Sequence, residues 1–248
     1  MNKKVILISL IFLTVLFSQE VLAAPLPGID LQVNPTDNPT EVVDSLKLLT
    51  ILTIITLAPA LIMMMTSFTR IVIVLSFVRN ALATQQSPPN QVLIGLALFL
   101  TFFTMAPVYQ DIKVNALDPY VAGSLSQEDA LTRASEPLKN FMMKQTREKD
   151  LALFVKMSKT PKPKTKEDVS LTVLVPAFII SELKTAFQMG FLIYIPFLVI
   201  DMVVASTLMS MGMVMVPPIM ISLPFKLLLF VITDGWFLVV KSLLESFG

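Results

Sequence analysis

The 248-residue chain has no cysteine and no histidine. Those absences remove thiol nucleophiles, imidazole general bases and the usual ligands of zinc, haem and iron–sulfur clusters. No catalytic residue, metal site or cofactor is therefore expected. The lack of thiols is silent about redox compartment, although it suits an oxidising one. Charge is also scarce, at 15% of residues, and it balances: 19 Lys and Arg against 18 Asp and Glu. A nucleic-acid partner would call for a basic surface, and none is available. No GxxxxGK[ST] stretch occurs, so a nucleotide-binding loop of that kind is excluded, and no internal repeat is apparent.

Apolar residues fill the space that charge leaves. They make up 54% of the chain, and the mean hydropathy is +0.75, far too apolar for a soluble domain of this size. The composition is that of a membrane protein. The chain opens with Lys3 and Lys4, an apolar run from Val5 to Phe17, and Val21-Leu22-Ala23 before a proline-rich stretch. That order has the form of a signal peptide over 1–23 cut at Ala23. The alternative is an uncleaved first span, for which the run falls short of the ~20 residues required.

Composition divides the remainder. Residues 24–41 form a lead-in rich in Pro, Asp and Asn, ending where Asn38, Pro39 and Glu41 make a helix start with a cap, a first-position proline and a reaching carboxylate. Residues 42–109 read as a first helical hairpin, kinked at Pro59. Its corner, with Arg70, Arg79 and the turn "SPPN" at 87–90, is expected on the cytoplasmic side. Residues 110–170 are a charged, modestly helical aqueous insert ending in the flexible, solvated "SKTPKPKTKED". Residues 171–248 are apolar but chopped by Pro176, Pro196, Pro217, Pro218 and Pro224, and form a second hairpin with a final helix.

Several apolar stretches carry charge. Arg70, Arg79, Glu182, Lys184, Asp201 and Lys226 are costly in hydrocarbon unless paired or hydrated. They read as inter-helix or inter-subunit ion pairs, with a proton relay as the alternative. Glu182 and Lys184, two residues apart, do not share a helix face, so each needs a partner elsewhere. Broken helices and buried charge survive in a membrane only against protein or a wet cavity. An obligate oligomer follows.

The segment "MSMGMVMVPP" (209–218) alternates methionine with other residues and then meets two prolines. Gly212 and Pro217-Pro218 call for an irregular loop, and such backbone at membrane depth should line a cavity. Methionine is unbranched and polarizable, suited either to filling a core or to forming a deformable constriction. Met209 and Met211 read as packing residues, as does Met63-Met64-Met65.

Two long blocks, "FTRIVIVLSFVRNALATQQSPPNQVLIGLALFLTFFTMAPV" (68–108) and "LVPAFIISELKTAFQMGFLIYIPFLVIDMVVASTLMSMGMVMVPPIMISLPFKLLLFVITDGW" (174–236), closely resemble the flagellar biosynthetic protein FliP family of type III export apparatus cores. The resemblance implies an all-α membrane protein, non-enzymatic, assembling as a pentamer with FliQ and FliR into a helical portal in the inner membrane within the flagellar basal body, with the insert in the periplasm. It implies contacts with membrane lipid, with other export-apparatus and rod proteins, and with the unfolded flagellar subunits that pass through. It also implies that Met213, Val214 and Met215 form the gasket closing the pore. Members of the family often carry Met where this chain has Val214, whose branched side chain is stiffer.

Three other functions compete. The homologous portal of a virulence injectisome shares both blocks. A small-solute or ion transporter would suit broken helices with internal charge. An intramembrane protease is poorly served, since there is no His and the "TDGW" around Asp234 lacks a second, facing aspartate motif.

Overall fold

The computed structural model describes residues 39–84, 86–158, 163, 165 and 168–248, with the backbone alone described at 39–42, 44 and 45. The signal peptide, its cut at Ala23, the lead-in as far as residue 38 and most of the basic run 158–168 lie outside the described residues. Among the described residues all regular structure is helical: α1 (Pro39–Met64), α2 (Phe68–Ala81), α3 (Asn90–Ile112), a π-helical turn (Lys113–Leu117), α4 (Asp118–Val121), α5 (Gln127–Gln145), α6 (Glu148–Met157), α7 (Leu171–Ser210), α8 (Pro218–Ile232) and α9 (Gly235–Glu245). The chain divides into units 1–51 and 52–248, and the packing below belongs to the second.

Among the described residues, three stretches are long and apolar enough to cross a membrane: Leu46–Met64, Asn90–Val121 and Leu171–Ser210. The pair α8 and α9, bent by 63°, makes a fourth if taken as one broken span. α1 has Pro39 at its first position and continues through Pro59 to Met64, and its apolar side chains from Leu52 onward are almost all exposed. At a rise of about 1.5 Å per residue, the 40 residues of α7 extend roughly 60 Å.

α2 is the axis of the core. Ile71, Val74, Leu75, Val78 and Ala81 recur at helical spacing and are wholly buried, each of the larger ones stabilising the fold by about 1.5–3 kcal/mol. They pack against Leu93 and Ala97 of α3, Ala186 and Phe197 of α7, Phe230 of α8, and Val239 and Leu243 of α9. Gly190 lets α7 approach closely, because a Cβ there would come 2.5 Å from the ring of Phe77. Phe77 also meets Phe187 edge-on at 5.2 Å.

A second core joins the insert to the start of α7. Met142, Val169, Val173, Leu174 and Phe178 are buried together, with Phe141, Phe154 and Met65 against them. Ser126 caps α5 by accepting from Asp129 N–H at 3.1 Å and donating to the Asp129 carboxylate at 2.7 Å.

One sequence expectation is overturned. Pro176, Pro196 and Pro224 do not chop the final part: α7 runs unbroken through the first two and α8 through the third. A proline removes a single ladder bond and can be absorbed where neighbouring helices hold the segment. Here Phe178, two residues after Pro176, and Phe197, beside Pro196, are buried in the two cores, and Ala177 is buried as well. The break falls later, between Met211 and Pro217.

Candidate gate loop and buried charge pairs

α7 ends in a Schellman motif, built by Gly212 in the left-handed region at φ 77°. Gly212 N–H donates to Met209 O and Met213 N–H reaches back to Leu208 O at 3.0 Å, which satisfies the last carbonyls of the helix. Re-entry is fixed by Pro217, with extended backbone, and by Pro218 at the first position of α8. Between these ends, among the described residues, one long backbone hydrogen bond holds the loop: Val216 N–H to Met213 O at 3.5 Å. Val214 is 80% exposed and Met215 96% exposed. Met209 and Met211 are exposed as well, so the packing expected of them does not occur within this chain. Met63 and Met64 are exposed, and only Met65 of that run joins a core. Just before the loop, α7 and α8 line an open apolar groove of about 480 Å³ between Val203, Thr207, Ile221 and Phe225.

Arg70 lies at the meeting point of four segments, with its side chain 3% exposed and that of its partner Glu182 fully buried. Its Nε donates to Glu182 Oε2 at 2.9 Å and its Nη2 to Glu182 Oε1. Nη2 also donates to Gln145 Oε1 at 2.9 Å, and Nη1 donates to the carbonyl and hydroxyl of Ser246 at 2.8 and 2.9 Å. The guanidinium has five N–H donors, and all five are used. The Phe247 ring stacks 4.0 Å from its carbon, and Gln145 Nε2 donates to Phe247 O. One residue of α2 thus fastens α5, α7 and the end of α9.

A neighbouring cluster extends this junction. Ser181 donates to Asp150 Oδ2 at 2.7 Å and accepts from Arg147 N–H at 3.1 Å, while Arg147 pairs with Asp150 at 2.6 Å. The Ser181 hydroxyl, helped by Arg147 and Lys184 and opposed by burial, holds the Asp150 carboxyl below the usual carboxylate range.

The other buried cation is Lys226 of α8. Its Nζ donates to Asp201 Oδ2 at 2.6 Å and to Ala81 O, at the C-terminus of α2, at 3.3 Å; Ser222 donates to Asp201 Oδ1 at 2.6 Å. The ammonium is therefore held both by a carboxylate and by the negative end of a helix.

The structure thus joins Arg70 with Glu182 and Asp201 with Lys226, and leaves the other two apart. Lys184 is exposed on α7. Arg79, in the last turn of α2, donates to Asn90 Oδ1 and Pro88 O, and its buried Nε has no partner among the described residues. Residues that sequence reasoning missed are Gln145, Arg147, Asp150, Ser181, Ser222, Ser246 and Phe247. All but Arg147 and Asp150 are uncharged, and nothing in the pattern marks them before the helices are assembled.

Fold and site together define an all-α membrane protein that neutralises charge inside its helical bundle and presents an unpartnered methionine loop at a helix turn. A family model described as FliP family matches residues 51–243. The chain is 62% identical over 212 residues to flagellar biosynthetic protein FliP of Bacillus subtilis (strain 168), covering 86% of this chain and 96% of that one. It is 53% identical to the protein of that name from Pectobacterium carotovorum subsp. carotovorum over 94% of this chain and 90% of the other, and 50% identical to that of Aquifex aeolicus (strain VF5) over 90% and 92%. This chain belongs to the FliP family.

Proposed function

We propose that the chain is a pore-forming subunit of the flagellar type III export gate. Several copies, five by resemblance, surround a conduit together with FliQ and FliR in the inner membrane at the base of the flagellum. Unfolded flagellar subunits pass outward through it, and rod proteins build upon it. The first 23 residues are a cleaved signal peptide, and the insert 110–170 stands on the periplasmic side.

The observation that carries this proposal is the loop Met213-Val214-Met215. Each end is fixed by helix geometry, its side chains are apolar, and Val214 and Met215 at its tip are 80% and 96% exposed. Apolar side chains held out in this way need a partner to keep them from water. Loops from several copies converging on one axis would supply it, forming a soft plug that closes at rest and yields to a passing chain. The relatives' shared name, flagellar biosynthetic protein, favours the flagellar system over an injectisome.

The test is conductance. Replacing Met213, Val214 and Met215 with Gly or Ala in the assembled complex should raise ion leak across the membrane while native-gel mobility stays unchanged. An intact complex with unaltered conductance would remove the loop from the gate. A mass measurement showing one or two copies would contradict the assembly.

A further inference from the structure

Most of the charge inside the bundle is settled within the chain, but one cation and one carboxylate are not. Arg79 has a buried Nε without a partner, its Nη1 reaches neutral oxygens, and no carboxylate pairs with it among the described residues. Asp234 is exposed at the elbow between α8 and α9, and its side chain makes no cap hydrogen bond to α9 and no ion pair among the described residues. Exposed apolar side chains surround it on both helices: Val231, Ile232, Phe237 and Leu238. A lone carboxylate in such a setting is costly until a cation meets it.

The elbow is rigidly built. Asp234 takes the left-handed region at φ 50° and ψ 54°, which Asp tolerates better than most residues. A Cβ on Gly235 would come 2.3 Å from the ring of Phe230, and that ring meets Trp236 edge-on at 5.3 Å. The backbone position of Asp234 is therefore a fixed feature of the fold.

Both charges lie at one height. α2 runs parallel to α7, since Arg70 meets Glu182 and Phe77 meets Phe187 and Gly190. α8 runs back along α7, since Lys226 meets Asp201 and Phe230 meets Phe197. Continuing the two registers brings Arg79 and Asp234 alongside the same stretch of α7, between Gly190 and Phe197. Lys184, the other cation left over, lies about two helical turns away, beside Asp150.

We propose that Asp234 of one copy is the counter-ion of Arg79 in the next. Two groups near one level of the bundle can meet across an interface between like neighbours when the copies are related by rotation with little shift along the bundle. The pairing neutralises both groups, covers the apolar elbow and gives the contact a direction, because the acid comes from one copy and the base from the next. It rests on the multi-copy assembly proposed above.

The chain lacks cysteine, so two introduced thiols report on one contact without background. Membranes holding the full complex with Arg79→Cys and Asp234→Cys in one chain, treated with a short thiol crosslinker, should give a ladder of covalent multimers. Each single variant should give none. On native gels Arg79→Asp and Asp234→Arg should each lower the assembled complex at least about tenfold, as like charges then face each other, and the combined swap should restore it.

An intact complex without a ladder, or a swap no better than either single change, overturns the pairing and leaves the export-gate proposal standing. An unaltered protein that runs as a monomer overturns both. Should the cysteine chains fail to assemble, Arg79→Gln and Asp234→Asn decide: combined, they should cost no more than one alone, and additive losses refute the contact.

Discussion

Glu182→Ala tests the Arg70 junction most directly. The substitution removes two of the five acceptors around the guanidinium and leaves its charge with three neutral oxygens and an aromatic face. Both partners are essentially inaccessible to solvent, so water cannot make good the loss. Breaking a buried pair from one side costs about 3–5 kcal/mol, against a total stability of about 5–15 kcal/mol for a typical folded domain. For a chain of this size that corresponds to a melting temperature lower by roughly 6–20 °C. The single tryptophan, Trp236, sits at the start of α9, whose far end is held by Arg70 through Ser246. Its fluorescence during heating of the detergent-solubilised protein therefore reports on the affected helix. Arg70→Lys should be milder, because an ammonium keeps the charge on Glu182 but has three donors for five acceptors. A Glu182→Ala melt within about 3 °C of the unaltered protein would mean the pair contributes under ~1 kcal/mol and would refute this account of the junction.

Lys226→Met should leave Asp201 with only the Ser222 hydroxyl and should cost less than Asp201→Ala, since the Asp201 side chain is 26% exposed and that of Lys226 2%; paired melts in detergent decide the order. Gly190→Ala drives a methyl group into the Phe77 ring and should destabilise by about 1–3 kcal/mol, with Phe77→Leu in the same chain recovering much of the loss. Asp150 gives a pH signature with a definite sign. Its carboxyl is held below its unfolded value near ~3.9, so its contribution is fully present above that value and is lost as pH falls through the lower folded value. The melting difference between the unaltered protein and Asp150→Asn should thus be level from neutral pH down to about 5 and shrink below about 4; a difference that grows on acidification would refute it.

Helix type and apolar span were legible from composition and run length, because a bilayer leaves few choices for backbone. Pro39 as a helix start and Gly212 as a helix stop follow from local conformational rules that neighbours do not override. The two central prolines of α7 misled for the opposite reason. Their local cost is real, but burial of Phe178 and Phe197 beside them outweighs it, and burial is a property of the assembled bundle. The charged groups showed both limits. That Arg70 or Asp201 needs a partner follows from charge alone, whereas which partner depends on registers between helices more than a hundred residues apart in the case of Arg70 and Glu182. Gln145 and Ser246 were invisible, since a neutral side chain in a polar or terminal stretch carries no signal until an unfilled donor is placed beside it.

The division between satisfied charge and unsatisfied apolar surface bears on how the proposed seal could move without unfolding its own subunit. The Arg70–Glu182 and Lys226–Asp201 pairs tie α2, α7 and α8 together within the chain, so the helices that carry the loop do not depend on what the loop touches. The loop is tied off at both ends, by the Schellman bonds of Gly212 and Met213 and by the backbone of Pro217 and Pro218. Between them residues 213–216 spend a single long hydrogen bond, so displacing them forfeits little. Met213 and Met215 can change rotamer at small cost, whereas Val214, β-branched, is confined to few. In the gate proposed above, a passing chain would therefore meet two yielding side chains flanking one stiff one in each copy. Val214→Met should soften the closure and raise leak through the resting complex, and Val214→Ile should leave it tight.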